Sequence, residues 1–345
     1  MANTINSKRV LIPTSLETPP ELPADAQLRQ LQGATMGTHW TVKLMVSGSI
    51  SPAYLQLGIE RQLAQVVAQM SHWESHSNLC KFNHAAAGTW HVLPAEFFQV
   101  LDYALYLAQQ TAGAYDPSIG KLVDLWGFGP KSKPQTMPNA NAIAAAMQDA
   151  GWQRVQVDRL LRRVRQPGGL SLDLSSIAKG YAVDQVARWL QSQGVVSYLI
   201  EVGGELRGYG IKQDQQPWWV ELEHPATQAA QGSAAANDSS TILALHGWAI
   251  ATSGDYRQQI QLGDRNFSHS IDPRSGYPLT HSVASVTVLH AECMVADALA
   301  TALMVMGLKQ GMAYAEEWRL ACRFISKTKD GYRESMSQAM RLMLS

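Results

Sequence analysis

The chain has 345 residues, 46% hydrophobic and 16% charged, which is enough to bury one large core or two coupled lobes. Lys plus Arg and Asp plus Glu number 28 each, so no overall field draws it to nucleic acid or to an acidic membrane surface, and any phosphate ligand has to be held locally. Cys80, Cys293 and Cys322 share no metal-type or redox-type spacing and are odd in number, which argues against a disulfide framework.

Residues 1–32 are rich in Pro and polar residues and are expected to form a disordered or linker arm. The first residues lack the apolar core of a signal peptide, and no run approaches the roughly 20 apolar residues of a membrane span. As written, the chain is therefore expected in the cytoplasm; a periplasmic or inner-membrane-anchored address follows only if a leader has been removed. From Trp40 the alternation of Trp40, Val42, Leu44 and Val46 predicts a half-buried strand. Leu55, Ile59, Leu63, Val66 and Met70 fall near helical spacing within 54–70, and 97–112 repeats the pattern before Gly113, so both predict amphipathic helices. Two short alternating runs, 153–158 and 160–165, are placed to pair through a tight turn, and 197–202, 218–223 and 284–289 are further strand candidates. Strands and helices mix without a regular βαβ rhythm, which points to an α+β fold. Residues 227–240 (TQAAQGSAAANDSS) are small and polar, an exposed loop insert too poor in apolar side chains to pack.

Four segments carry chemistry. SLDLSSIAKGYAVDQVARWLQ (171–191) reads as a short strand entering a helix, with Ser175 or Ser176 as its cap and Lys179 in or near its first turn. Unpaired N–H groups, the positive helix end and a lysine together suit a phosphate; an ordinary capped helix with a solvated lysine reads the same way. AECMVADALATALMVMG (291–307) is a strongly apolar helix carrying Asp297 and Thr301, four residues apart and so on one face. A carboxylate there is costly unless paired or cation-bound, and with a hydroxyl beside it the pair suits Mg²⁺, although a hydrogen bond from a neighbouring loop would also satisfy the aspartate. FSHSIDPRSGYPL (267–279) places His269 just before an ordered Asp-Pro turn, making it a candidate general base, or else a structural histidine. In GAYDPSIGKLVDLWGFGP (113–130), Tyr115, Trp126 and Phe128 are available to flank a flat ring, or simply to pin a loop into the core. EVGGELRGYG and TSGDYR each follow a strand, with glycines that permit close ligand approach.

Taken in order, ATMGTHW, MSHWESHSNLCKFN, GAYDPSIGKLVDLWGFGP, LDLSSIAKGYAVD, EVGGELRGYG, ATSGDYR, SHSIDPRSGYP and CMVADALATAL resemble the FAD:protein FMN transferase (ApbE) family over most of the chain. The resemblance implies a flavin transferase fold, with two tightly coupled lobes around a FAD cleft, and a domain spanning 33–345. It implies FAD as substrate and Mg²⁺ on its pyrophosphate. Met36, Trp73, Ala114, Tyr115, Asp116, Asp173, Lys179 and Ile271 match FAD-contacting positions; Trp73 stands where members often have Tyr. Asp297, Thr301, Ser176 and the carbonyl of Ala178 match metal positions, and His269 matches the base. The activity implied is cleavage of FAD with transfer of FMN by a phosphoester bond to a Thr or Ser of an acceptor flavoprotein, releasing AMP. Acceptors are expected among redox-pump subunits and fumarate-reductase-like enzymes. Two alternatives stay open: a FAD pyrophosphatase in which water replaces the acceptor, and a FAD carrier without turnover.

Overall fold

A computed structural model of the chain describes residues 9–131, 134–225, 241–255, 259–262 and 265–345. The insert expected at 227–240 lies outside the described residues, as do Tyr256 and Arg257 of TSGDYR. In chain order the first half runs β1 (Arg9–Leu11), β2 (Gln27–Thr35), β3 (Thr38–Val46), α1 (Pro52–Met70), α2 (Asn78–Asn83), β4 (Trp90–Val92), α3 (Ala95–Gln110), α4 (Gly120–Leu125), α5 (Ala140–Asp149), β5 (Gln156–Asp158), β6 (Arg163–Arg165) and α6 (Ala178–Ser192). The second half runs β7 (Ser197–Val202), β8 (Glu205–Tyr209), β9 (Trp218–Glu221), β10 (Thr241–Leu245), β11 (Trp248–Gly254), β12 (Gln259–Leu262), β13 (Arg265–Ser268), β14 (Ile271–Asp272), β15 (Tyr277–Pro278), β16 (Val283–His290), α7 (Cys293–Glu317), β17 (Ala321–Thr328), β18 (Gly331–Met336) and α8 (Gln338–Arg341). This is the expected α+β mixture.

The scaffold is an eight-stranded sheet in the order β18-β17-β16-β11-β8-β7-β3-β2, antiparallel at every pairing. Strand β3 explains how its sequence makes it. Trp40, Val42, Leu44 and Val46 are buried on one face, in the core shared with α1, α6 and α7, as the period of two requires. Met45 points the other way yet is also buried, because a second cluster built around β9 and β10 covers that face. Helix α1 buries Leu55, Ile59, Leu63, Val66 and Met70 against the same core, the stripe its spacing predicts.

Helix α7 is apolar all round and meets the length and composition of a membrane span, against the sequence expectation; 78% of its most apolar window is buried, so the core takes it instead. Its apolar run stops at Gly307, where a φ of +71° breaks the helix in two. All three cysteines are free and buried.

Two expectations are corrected here. Within the expected arm, residues 9–11 and 27–32 are sheet: β1 pairs in parallel with β10, and β2 pairs with β3 in register from Gln27↔Val46 to Thr35↔Thr38. Nor does a serine cap α6. Its N-cap is Ile177, with no side-chain hydrogen bond, because a turn carries the chain from Asp173 past both serines before the helix begins.

Candidate active site

A cleft of about 480 Å³ lies where the sheet and its helices meet the smaller unit of α4, α5 and β12 to β15. Its walls include Met36, Trp73, Ala114, Tyr115, Asp116, Asp173, Ser176, Ala178, Lys179, His269, Ile271, Asp297 and Thr301. Every residue matched to a family site position thus reaches one cavity, from six separate stretches of chain. Of the aromatics offered for a flat ring, Tyr115 and Phe128 line it, whereas Trp126 is fully buried in the smaller unit with its indole N–H donating to the Gly276 carbonyl at 2.9 Å.

The floor is the crossing of α6 and α7. Gly180 lets them touch: a Cβ there would stand 2.4 Å from the Cys293 carbonyl oxygen and 2.8 Å from Asp297 Cβ. At that contact the Gly180 N–H donates to Asp297 Oδ2 at 2.9 Å, holding a carboxylate only 6% exposed. The two helices are locked reciprocally. Asp184 of α6 accepts the N–H groups of Cys293 (3.1 Å) and Met294 (2.9 Å) at the start of α7, and pairs with Arg207 from β8. Thr301 faces the cleft one turn beyond Asp297.

Beside this floor, Tyr115 is buried and receives a hydrogen bond from Ser176 Oγ at 3.1 Å. Burial above all, then the nearby carboxylates Asp297 and Asp173, against the lowering pull of the Ser176 bond, push its phenol well above the ordinary tyrosine range. Tyr115 is therefore a neutral hydroxyl. Asp116 spends both carboxylate oxygens on its own turn: Oδ1 accepts from Ser118 N (2.8 Å) and Oγ (2.6 Å), and Oδ2 from Trp152 N (3.0 Å). Burial raises its pKa despite these bonds. What Asp116 offers a ligand is mainly backbone held in place. Asp173 Oδ1 accepts the Ser175 N–H at 2.8 Å, and Lys179 Nζ lies 2.7 Å from Glu205 Oε1.

His269 is half-buried, its ring edge-on to Phe128 with centroids 6.3 Å apart. Ile271, two residues on, is buried in the same wall. At the rim Trp73 is 63% exposed, which leaves an indole face for a flat ring. Met36 occupies the two-residue turn joining β2 to β3, at φ +49°, followed by Gly37 at +70°. Such turns need positive φ at both positions and favour Asn-Gly; a methionine there accepts strain to bring a thioether to the cleft.

Several lining residues carry no individual sequence signal. His72 Nδ1 sits 3.4 Å from Asp173 Oδ2, and its Nε2 is buried without a hydrogen-bond partner. Thr38, Glu205 and Thr252–Gly254 also line the cleft. Glu205 and Thr252 belong to the glycine-bearing segments EVGGELRGYG and TSGDYR, so the segments were visible while the residues were not.

Asp297, Thr301, Ser176 and Ala178 line the same cleft, and the oxygens they carry, one carboxylate, two hydroxyls and a backbone carbonyl, are of the kind that suits a hard divalent ion. Among the described residues no three His, Cys, Asp or Glu side chains gather as an all-protein metal cage. The carboxylate and hydroxyl oxygens fit Mg²⁺, which keeps waters and takes substrate phosphate oxygens as much of its shell.

The family model described as "ApbE family" matches residues 36–324. A Vibrio cholerae protein named FAD:protein FMN transferase is 38% identical over 321 residues, covering 93% of this chain and 94% of its own. A Haemophilus influenzae protein of the same name is 35% identical, covering 92% of each. Among solved structures, the apo form of Pseudomonas stutzeri flavinyl transferase ApbE superposes with a TM-score of 0.84 at 34% identity, over 92% of this chain and 97% of that one. The Vibrio cholerae flavin transferase ApbE gives 0.82 at 37%, over 92% and 100%.

Proposed function

Because the chain belongs to the ApbE family, we infer that it is an FAD:protein FMN transferase, cleaving FAD and attaching FMN to an acceptor flavoprotein. The observation that carries this reading is the meeting of all the family-type positions on one cleft. Within it we assign Trp73, Met36 and Ile271 to the flat and apolar parts of FAD, and the backbone of Ala114 to Asp116 to its heteroatoms. Lys179 and the start of α6 bear on the phosphates. Asp297, Thr301, Ser176 and the Ala178 carbonyl would hold Mg²⁺, which when bound supplies charge neutralisation at the pyrophosphate.

His269 acts on the acceptor. A Thr or Ser hydroxyl gives its proton to the imidazole as its oxygen bonds to the phosphorus on the FMN side. The P–O bond to the AMP half breaks, and AMP departs with that electron pair. The product is a phosphoester, so no oxidant or second nucleotide is consumed. The acceptor is proposed to be a redox-pump subunit or a fumarate-reductase-like enzyme presenting its Thr or Ser in an exposed segment.

The reading is tested by co-expression with such a subunit, followed by in-gel flavin fluorescence and intact mass. One added FMN, with AMP released in equal amount and both abolished by EDTA, is expected. AMP without any adduct would assign hydrolysis instead, and neither product would leave a carrier. His269→Ala is expected to bind FAD nearly as the unaltered chain does while transfer slows by about 100-fold or more. Unchanged transfer would remove His269 from the reaction.

A further inference from the structure

The hairpin of β5 and β6 carries side chains that neither the cleft nor the core uses. Asp158 pairs with Arg163 across it, leaving Arg159-Leu160-Leu161-Arg162 as the connecting loop. Asp158 Oδ1 accepts the Leu161 N–H at 3.1 Å, so the loop is ordered. Yet Leu160 is 91% exposed and Leu161 52%. Two adjacent leucines held in water by a defined turn forgo the stabilisation their burial would give, and a contiguous exposed apolar patch marks an interaction site.

The sheet behind the tip continues the same surface. Val164 is fully buried, so Arg163 and Arg165 on either side of it face outward. Their cross-strand partners on β4 are Val92 and Trp90, which share that face and are 72% and 42% exposed. The Arg163 guanidinium lies over the Trp90 ring at 4.8 Å. Leucines at the apex, a tryptophan and a valine behind them and four arginines in the same hairpin make up this exposed surface. Two of those arginines meet carboxylates, Arg159 with Asp102 at 2.9 Å and Arg163 with Asp158 at 3.0 Å. Four arginines against two carboxylates leave a surplus of two positive charges, in a chain whose net charge is zero.

We propose that this hairpin docks the protein on an anionic lipid surface, with Leu160 and Leu161 entering the headgroup boundary and the surrounding arginines meeting lipid phosphates. Leucine below, tryptophan at headgroup level and guanidinium on phosphate is the division of labour that interfacial segments use. An apolar tip exposed as Leu160 is needs no matching pocket in a fluid surface, and the local surplus of positive charge complements anionic headgroups. None of these residues lines the cleft, so docking and FAD chemistry are separable.

Co-sedimentation of the whole chain with vesicles of phosphatidylcholine alone, and of phosphatidylcholine mixed with phosphatidylglycerol, tests the proposal. Binding to the mixed vesicles is expected to be at least about tenfold tighter and to weaken with added salt. A Leu160→Ser, Leu161→Ser double variant and an Arg159→Gln, Arg162→Gln double variant should each lose about tenfold or more. FAD affinity, read from flavin fluorescence, should stay unchanged in both, showing that they fold. Equal binding to the two vesicle types, or variants that sediment as the unaltered chain does, would overturn the proposal. So would a chain that ignores vesicles but elutes as a dimer that the leucine variant dissociates, since the tip would then be a self-contact.

Discussion

Asp297 shows what one residue can reveal. Its carboxylate is buried, accepts the Gly180 N–H and lines the cleft. Asn at this position keeps the size and a carbonyl oxygen for Gly180 but removes the charge a divalent ion needs. Asp297→Asn is therefore expected to melt within a few degrees of the unaltered chain while its affinity for Mn²⁺, titrated by electron paramagnetic resonance, falls by about tenfold or more. Equal affinity would take Asp297 out of the metal site. The residue was legible because a charge inside an apolar run stands out against its neighbours. His72 was not: it sits in a polar stretch, and only folding sets its imidazole beside Asp173 and into the cleft. Asp116 falls between the two cases. Its Asp-Pro turn was readable, but the commitment of both its oxygens to Ser118 and Trp152 depends on a backbone N–H 36 residues away.

At the scale of elements, what matters for the site is how closely α6 and α7 cross. Glycine inside a helix normally costs about 1 kcal/mol relative to alanine, so Gly180→Ala would stabilise an isolated α6. Here the added methyl would meet the Cys293 carbonyl at 2.4 Å and Asp297 Cβ at 2.8 Å, both attached to the backbone of a packed helix. Overpacking of that kind costs about 1–3 kcal/mol and outweighs the propensity gain. Gly180→Ala is expected to lower the urea midpoint and to cut FMN transfer, because the displaced element is the one bearing Asp297. A raised midpoint would show that the helices can part without loss. Helices α1 and α7 and strand β3 were readable because their apolar spacing is a local property of the chain. Strand β2 was not, since its sequence, Gln27 to Thr35, is largely polar and mostly exposed; its extended form comes from pairing with β3 at the sheet edge. The start of α6 was misread for a related reason. Two serines near a helix look like caps, but tertiary packing at Tyr115 takes Ser176.

Across the whole molecule, the two ends of the chain hold each other, outside the span that the family model matches. Strand β1 adds to β10; the Ile12 N–H donates to the Met343 carbonyl at 2.7 Å and the Ser345 N–H to that of Val10 at 3.0 Å. Arg9 ties this closure to the far edge of the main sheet, reaching Glu334 of β18 at 2.5 Å and Thr241 of β10 at 2.7 Å. Burial alone would raise the Glu334 carboxyl, but Arg9 and Arg323 together hold it below the ordinary range. A carboxylate whose pKa is depressed by folding contributes stability above its unfolded value, and that contribution is lost as pH falls through the folded one. Arg9→Ala is thus expected to destabilise the chain by about 1 kcal/mol at neutral pH, as partly exposed ion pairs do. The gap from the unaltered chain should hold down to near pH 4, where an unfolded glutamate titrates, and narrow below it as Glu334 protonates in both. The decisive measurement is the difference in denaturation midpoint between the two chains from pH 7 to pH 3. A difference that persists undiminished at the acid end would assign the closure to the strand and to the Thr241 contact, with the Arg9–Glu334 pair contributing nothing.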